Sequence, residues 1–138
     1  MATVVIADDD AANRACLTLH LELQEHVVRA AADGAEAVRL VEMATPDLVI
    51  LDLHMPRLDG IEACACLRCL PQMGAVPIVL LSGADADELA RRQPLPRFDA
   101  MRAKPYDMRE LWKLVADLTG PKLSRNGAGL ATGPVHTI

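Results

Sequence analysis

The stretch VVIADDD, residues 4–10, runs through Val4, Val5, Ile6 and Ala7 and then stops at three adjacent carboxylates, Asp8, Asp9 and Asp10. A short β-branched run without polar alternation has the character of a strand covered on both faces, as in a parallel sheet. The pattern recurs further along. Residues 48–53, LVILDL, carry Asp52 at the end of an apolar run, and residues 78–82, IVLLS, close on Ser82. The more mixed FDAMRAKP, residues 98–105, closes on Lys104 and Pro105.

Adding HVVRA at residues 26–30, these runs predict strands over 3–7, 26–30, 48–51, 78–81 and 98–103. Apolar residues at helical spacing predict helices over 11–24, 35–44, 61–70, 85–92 and 107–118. Strict alternation of the two is the pattern of an α/β fold, a doubly wound five-stranded parallel sheet with helices on both faces. The first four strands should be covered on both sides, while the fifth suits an edge. Asp33-Gly34 and Asp59-Gly60 mark turns, Pro77 opens the fourth strand, and Pro94 and Pro96 keep the fourth helix short. From Gly120 the sequence loses periodicity and gains glycine, so residues 1–119 read as one domain and 120–138 as a flexible tail too short for an output domain.

Composition narrows the function classes. The 138 residues are 51% hydrophobic and 24% charged, enough for one core, and only Phe98, Tyr106 and Trp112 are aromatic. A net charge of -5 disfavours general affinity for nucleic acid or an anionic membrane, because phosphate would be repelled by most of the surface. No signal-type segment opens the chain and no apolar run is long enough to span a bilayer, so a cytoplasmic location is expected. Cys16, Cys64, Cys66 and Cys69 are then expected as reduced thiols. On a helix Cys64 and Cys66 point to nearly opposite sides. Only Cys66 and Cys69 share a face, two ligands where structural zinc needs four.

In an open parallel sheet the functional groups gather beyond the carboxyl ends of the strands. Asp8, Asp9, Asp52, Ser82 and Lys104 should therefore meet in one crevice. Carboxylates that close repel one another unless a cation lies among them, and a hard divalent ion such as Mg²⁺ suits such oxygen ligands. A phosphoryl group carried by one carboxylate would be neutralised by that ion and the Lys104 ammonium, with the Ser82 hydroxyl as a further donor. Asp10 falls at the start of the first helix, where a carboxylate caps amides and meets the positive end of the helix dipole.

Taken together, VVIADDD, PDLVILDLHMPRLDG, VPIVLLSGA and AKP resemble the receiver domains of two-component response regulators, over about residues 3–118. The resemblance implies a flavodoxin-like, CheY-like fold with strand order 2-1-3-4-5. It implies a stand-alone receiver in a phosphorelay, with Asp52 accepting the phosphoryl group from a sensor histidine kinase or a histidine phosphotransfer protein. Asp8, Asp9, Asp52 and the backbone carbonyl of His54 would hold Mg²⁺, and Ser82 and Lys104 would hold the new phosphoryl group. The Lys104-Pro105 bond would be cis. Such a protein catalyses its own phosphorylation and dephosphorylation without being a turnover enzyme, and it switches binding of a downstream protein through the fourth helix, fifth strand and fifth helix. A monomer or weak homodimer is expected, with no direct contact to nucleic acid or membrane.

Some positions depart from that family. Met101 stands where many receivers have an inward-turning Tyr or Phe, so the usual aromatic switch is replaced by a flexible thioether or lost. The His54 side chain lies where access of water to an acyl phosphate is tuned, and it is equally an exposed loop imidazole. Trp112 falls at the rim of the apolar stripe formed by Leu111, Leu114, Val115 and Leu118, either as an interface anchor or packed on the neighbouring helix. Two other functions fit the residues less fully. One is a haloacid dehalogenase-type phosphohydrolase with Asp8 as nucleophile and Asp10 as acid and base, which leaves Asp52 idle. The other is a receiver-like scaffold that is never phosphorylated.

Overall fold

The computed structural model describes residues 1–83 and 86–120, with residue 86 given by its backbone alone. The tail expected beyond Gly120 lies outside the described residues. Five strands, β1 (Thr3–Ala7), β2 (Val27–Ala31), β3 (Leu48–Asp52), β4 (Ile78–Ser82) and β5 (Ala100–Ala103), pair in parallel in the order β2-β1-β3-β4-β5. They alternate with α1 (Ala11–Leu23), α2 (Gly34–Met43), α3 (Gly60–Arg68), α4 (Ala86–Arg91) and α5 (Met108–Thr119), and a single 3₁₀ turn, Pro71–Met73, follows α3. The doubly wound α/β expectation is met, strand order included.

The period of two along each strand divides the core. Val4, Ile6, Leu48, Ile50, Val79 and Leu81 turn to one face, where Leu17 and Leu21 of α1 and Leu111, Leu114, Val115 and Leu118 of α5 cover them. Val5, Ala7, Val49, Leu51, Ile78 and Leu80 turn to the other, beneath Ala37 and Val41 of α2 and Ala63, Cys64 and Leu67 of α3. Every residue of β3 and β4 is buried as a result.

β2 differs from the reading. It begins one residue later than expected, and of its residues only Ala31 is fully buried. The strand order puts it at the sheet edge beside β1 alone, so its apolar composition does not translate into burial. Arg29 on this strand turns its guanidinium to the carbonyls of Leu40 and Ala44, capping the C-terminal end of α2. β5 is shorter than expected, starting at Ala100.

The two Asp-Gly pairs also do more than turn the chain. Asp33 and Asp59 are N-caps, accepting from the amides of Glu36 and Glu62, and Asp59 completes a capping box with the Glu62 side chain. The glycines that follow are the first residues of α2 and α3, one earlier than the periodicity suggested. Each lies where a side chain has no room. A Cβ at Gly60 would sit 2.5 Å from the carbonyl oxygen of Asp52 and 2.9 Å from Cα of Leu53. Without one, the Gly60 amide reaches the Leu53 carbonyl at 2.7 Å, and α3 starts against the backbone that carries Asp52.

A second fixture is Arg68, whose nearly buried side chain binds the connections before β4 and β5. Its Nε donates to the Arg97 carbonyl at 2.9 Å, Nη1 to the carbonyls of Met73 and Val76 at 2.9 and 2.8 Å, and Nη2 to Asp99 Oδ2 at 3.0 Å. Asp99 also accepts from the amide of Ile78, the first residue of β4.

α4 is held differently. None of its described side chains is fully buried. Its contacts to the β3–α3 loop are polar: Glu88 Oε2 lies 2.9 Å from His54 Nε2, and Arg92, just past the helix end, lies 3.0 Å from Asp59 Oδ2.

Arg68→Met keeps an apolar stem but removes the donor of the half-buried Val76 carbonyl and one donor each from the Met73 and Arg97 carbonyls and Asp99. Urea unfolding is expected to show a loss of about 2–4 kcal/mol. A loss below about 0.5 kcal/mol would mean that the loops hold their positions without it.

Candidate functional site

β1 and β3 end side by side, because Ala7 pairs with Leu51, and β4 places Ser82 on the far side of Asp52. The chain turns are therefore what bring the carboxylates together. Asp8 and Asp52 are buried, with 4% and 6% of their surfaces exposed, while Asp9 is exposed. One carboxylate oxygen from each of the three lies within 4.8 Å of the others. Lys104, from the residue after β5, reaches in so that Nζ is 2.6 Å from Asp52 Oδ1 and 3.9 Å from Asp8 Oδ2. Ser82 is buried at the end of β4, and its carbonyl accepts from the Lys104 amide at 2.9 Å, fixing where the lysine leaves the sheet.

Asp8 is the most constrained acid. Its Oδ1 accepts from the Asp10 amide at 2.9 Å, and its carbonyl accepts from Arg14 Nη1 at 2.8 Å. Burial pushes its carboxyl above the ordinary aspartate range; the Asp10 amide opposes this, Asp52 adds to it, Lys104 opposes it, and Asp9 adds slightly. For Lys104, burial alone would lower the ammonium, but the hydrogen bond and charge of Asp52, with the charge of Asp8, outweigh it and the net shift is upward. The site is thus an acid-rich rim with one ammonium for three carboxylates.

The remaining sequence candidates fall around this rim. Asp10 caps α1, its Oδ1 accepting from the amides of Ala12 and Asn13 at 2.9 and 3.2 Å. That occupies the group which a dehalogenase-type reading needs as acid and base. The Lys104-Pro105 bond is cis. His54 follows β3, and its side chain turns away to Glu88 of α4. Met101 is half-buried, packed against the core on the α2 and α3 side of the sheet. Trp112 is half-buried with its ring centroid 5.9 Å from that of His20 of α1, and its indole Nε1 is enclosed without a hydrogen-bond partner.

Sequence reasoning missed Tyr106 and Arg14. Tyr106 packs against the α1 and α5 side of the core, and burial pushes its phenol upward. With Asn13, Lys104 and Pro105 it lines a cleft of about 440 Å³ beside the site. The sequence signal for function lies at strand ends, and Tyr106, two residues beyond Lys104, and Arg14, within α1, do not carry it.

The sequence matches the response regulator receiver domain family over residues 4–116. The chain belongs to that family. It is 33% identical over 126 residues to the response regulator MprA of Mycolicibacterium vanbaalenii, covering 91% of this chain and 54% of that protein. It is 37% identical over 87 residues to the transcriptional regulatory protein AfsQ1 of Streptomyces coelicolor, covering 63% of this chain and 37% of that one. The chain thus spans about half or less of those relatives' lengths. Among solved structures, chemotaxis response regulator CheY4 of Vibrio cholerae superposes with a TM-score of 0.78 at 27% identity, covering 86% of this chain and 98% of that chain. The receiver domain of sensor histidine kinase PA1611 from Pseudomonas aeruginosa, solved with a magnesium ion in its active-site cleft, has a TM-score of 0.78 at 24% identity, covering 87% and 98%.

For Asp8 the sign of linkage is unusual. An acid whose folded pKa lies above its unfolded value holds its proton better when folded, so stability falls as pH rises through that window and stays reduced above it. Asp8→Asn removes the burdened charge and keeps an oxygen for the Asp10 amide. In magnesium-free buffer near neutral pH it is expected to raise stability by roughly 0.5–2 kcal/mol. Thermal unfolding across pH checks this: the gain should shrink as pH is lowered to the ordinary aspartate range.

Proposed function

We propose that this receiver accepts a phosphoryl group on Asp52 from the phosphohistidine of a sensor kinase or phosphotransfer protein, with Mg²⁺ held by Asp8, Asp9 and Asp52. The observation that carries this reading is the meeting of the three carboxylates within 4.8 Å, with the Lys104 ammonium 2.6 Å from Asp52. Three hard oxygen donors crowded at one point, one of them exposed, suit a hard divalent ion better than any soft one. The backbone carbonyl of His54 is a further candidate ligand. Bound there, magnesium would neutralise phosphoryl oxygens and polarise the phosphorus.

The chain's own residues supply the rest. The Asp52 carboxylate attacks phosphorus in line, an O–P bond forms, the N–P bond of the phosphohistidine breaks, and the imidazole leaves with its electron pair and takes up a proton. Lys104, already beside Asp52, then pairs with a phosphoryl oxygen, and the Ser82 hydroxyl donates to another. The cleft lined by Asn13, Lys104, Pro105 and Tyr106 gives the donor room beside the ammonium. Hydrolysis of the acyl phosphate at the same site resets the protein, so it acts as a self-modifying switch in the cytoplasm and not as a turnover enzyme. Loss of the Lys104–Asp52 pair on phosphorylation biases a pre-existing equilibrium of the α4, β5 and α5 surface, where Met101 and Trp112 lie, toward a form that binds a downstream protein.

Incubation with acetyl phosphate and Mg²⁺ followed by peptide mapping should place the phosphoryl group on Asp52 and nowhere in Asp52→Asn. Modification of Asp8 instead would favour the hydrolase, and no modification the scaffold. Lys104→Arg should still be phosphorylated but lose partner switching, because a planar guanidinium does not reproduce a compact ammonium. Partner binding that still responds to phosphorylation would remove Lys104 from that role.

A further inference from the structure

The sequence CLRC, residues 66–69, closes α3, and the packing of its middle residues fixes what its ends do. Leu67 is wholly buried in the core and Arg68 is drawn inward by its hydrogen bonds to three carbonyls and Asp99. At about 100° per residue, two adjacent inward positions leave the residues on either side of them about 60° apart on the opposite face. Cys66 and Cys69 are accordingly both exposed, whereas Cys64 is buried, its Sγ set against the Arg97 carbonyl at 3.4 Å and its thiol pushed up to about 11, chiefly by burial.

The last turn is also tighter than an α-helix. The Cys69 amide donates to the Cys66 carbonyl at 3.1 Å and the Leu70 amide to the Leu67 carbonyl at 3.0 Å, both i to i−3 bonds. In that geometry side chains three apart eclipse. The separation of about 5–6 Å between Cβ atoms typical of an α-helix needs to shrink to the roughly 3.5–4.5 Å of a disulfide. Cys69 is the cap residue, one past the last helical residue, so the adjustment falls at the end of the helix and not within it.

We propose that Cys66 and Cys69 form a redox site on the outer face of α3, a dithiol that low-molecular-weight disulfides oxidise to an intramolecular disulfide. One thiolate attacks a sulfur of the small disulfide, giving a mixed disulfide and expelling one small thiolate. The second cysteine's thiolate then attacks the protein sulfur and expels the other. The two protein thiols lose two electrons and two protons, and the small disulfide becomes two thiols. The bridge would brace the turn that holds Arg68, and through it the loops before β4 and β5. This site is separate from the acidic rim and stands whether or not Asp52 is phosphorylated.

The test is treatment of the full chain with oxidised glutathione and measurement of its mass under non-reducing conditions. Trypsin cleavage after Arg68 separates Cys69 from the peptide 58–68 that carries Cys64 and Cys66, so a bridge is read as two peptides still joined, and loss of that linkage in Cys66→Ser assigns it. The expected result is a monomer with the Cys66 and Cys69 peptides linked, two hydrogen atoms lighter there, free of adduct at either, and restored by reductant. Cys69→Ser should instead trap glutathione on Cys66, and Cys66→Ser trap it on Cys69, while Cys16→Ser leaves the bridge unchanged. Stable glutathione adducts on both cysteines of the unmodified sequence, linkage only between separate molecules, or no reaction at either thiol would each overturn the proposal.

Discussion

Like charges crowded at the end of a parallel sheet set the terms for everything around them. Asp8 and Asp52 are buried and Asp9 adjoins them, and a single ammonium stands against the group. Burial raises the cost of the Asp8 charge, and the neighbouring carboxylates raise it again. The surrounding structure answers with fixed partners: the Asp10 amide on Asp8, Arg14 on the Asp8 carbonyl, and Lys104 set in place by the hydrogen bond from its backbone N–H to the Ser82 carbonyl. Three carboxylates held this close, two of them buried, make the rim a site of stored repulsion.

The sheet was legible because its chemistry is periodic. Continuous apolar runs in β1, β3 and β4 correspond to strands buried on both faces, and polar residues that terminate them stand at the carboxyl edge. β2 was misjudged for a physical reason. Composition reports what a strand would tolerate, while its exposure depends on which strands flank it, and that is a property of topology. The Asp-Gly pairs show the same limit at shorter range. A turn signal was visible in the sequence, but the contact of Gly60 with the Asp52 carbonyl is between residues eight apart in the chain and exists only after folding.

Within the site, the acids, Ser82 and Lys104 could be found because each sits at a strand end. Tyr106 and Arg14 could not, nor, away from the site, could the role of Arg68. An arginine in a helix reads as a solvated charge, and nothing local discloses that carbonyls from Met73, Val76 and Arg97 converge on it. Tyr106 reads as one more aromatic of the core, and only its position between α1 and Lys104 places it at the mouth of the cleft.

The way α4 is attached has a consequence for energetics. An element none of whose described side chains is fully buried, met by the Glu88–His54 contact and, just past its end, by Arg92–Asp59, adds little apolar burial to the core. Elements of this kind open locally at a cost below that of global unfolding, and an ion pair such as Arg92–Asp59 weakens as dissolved ions screen it.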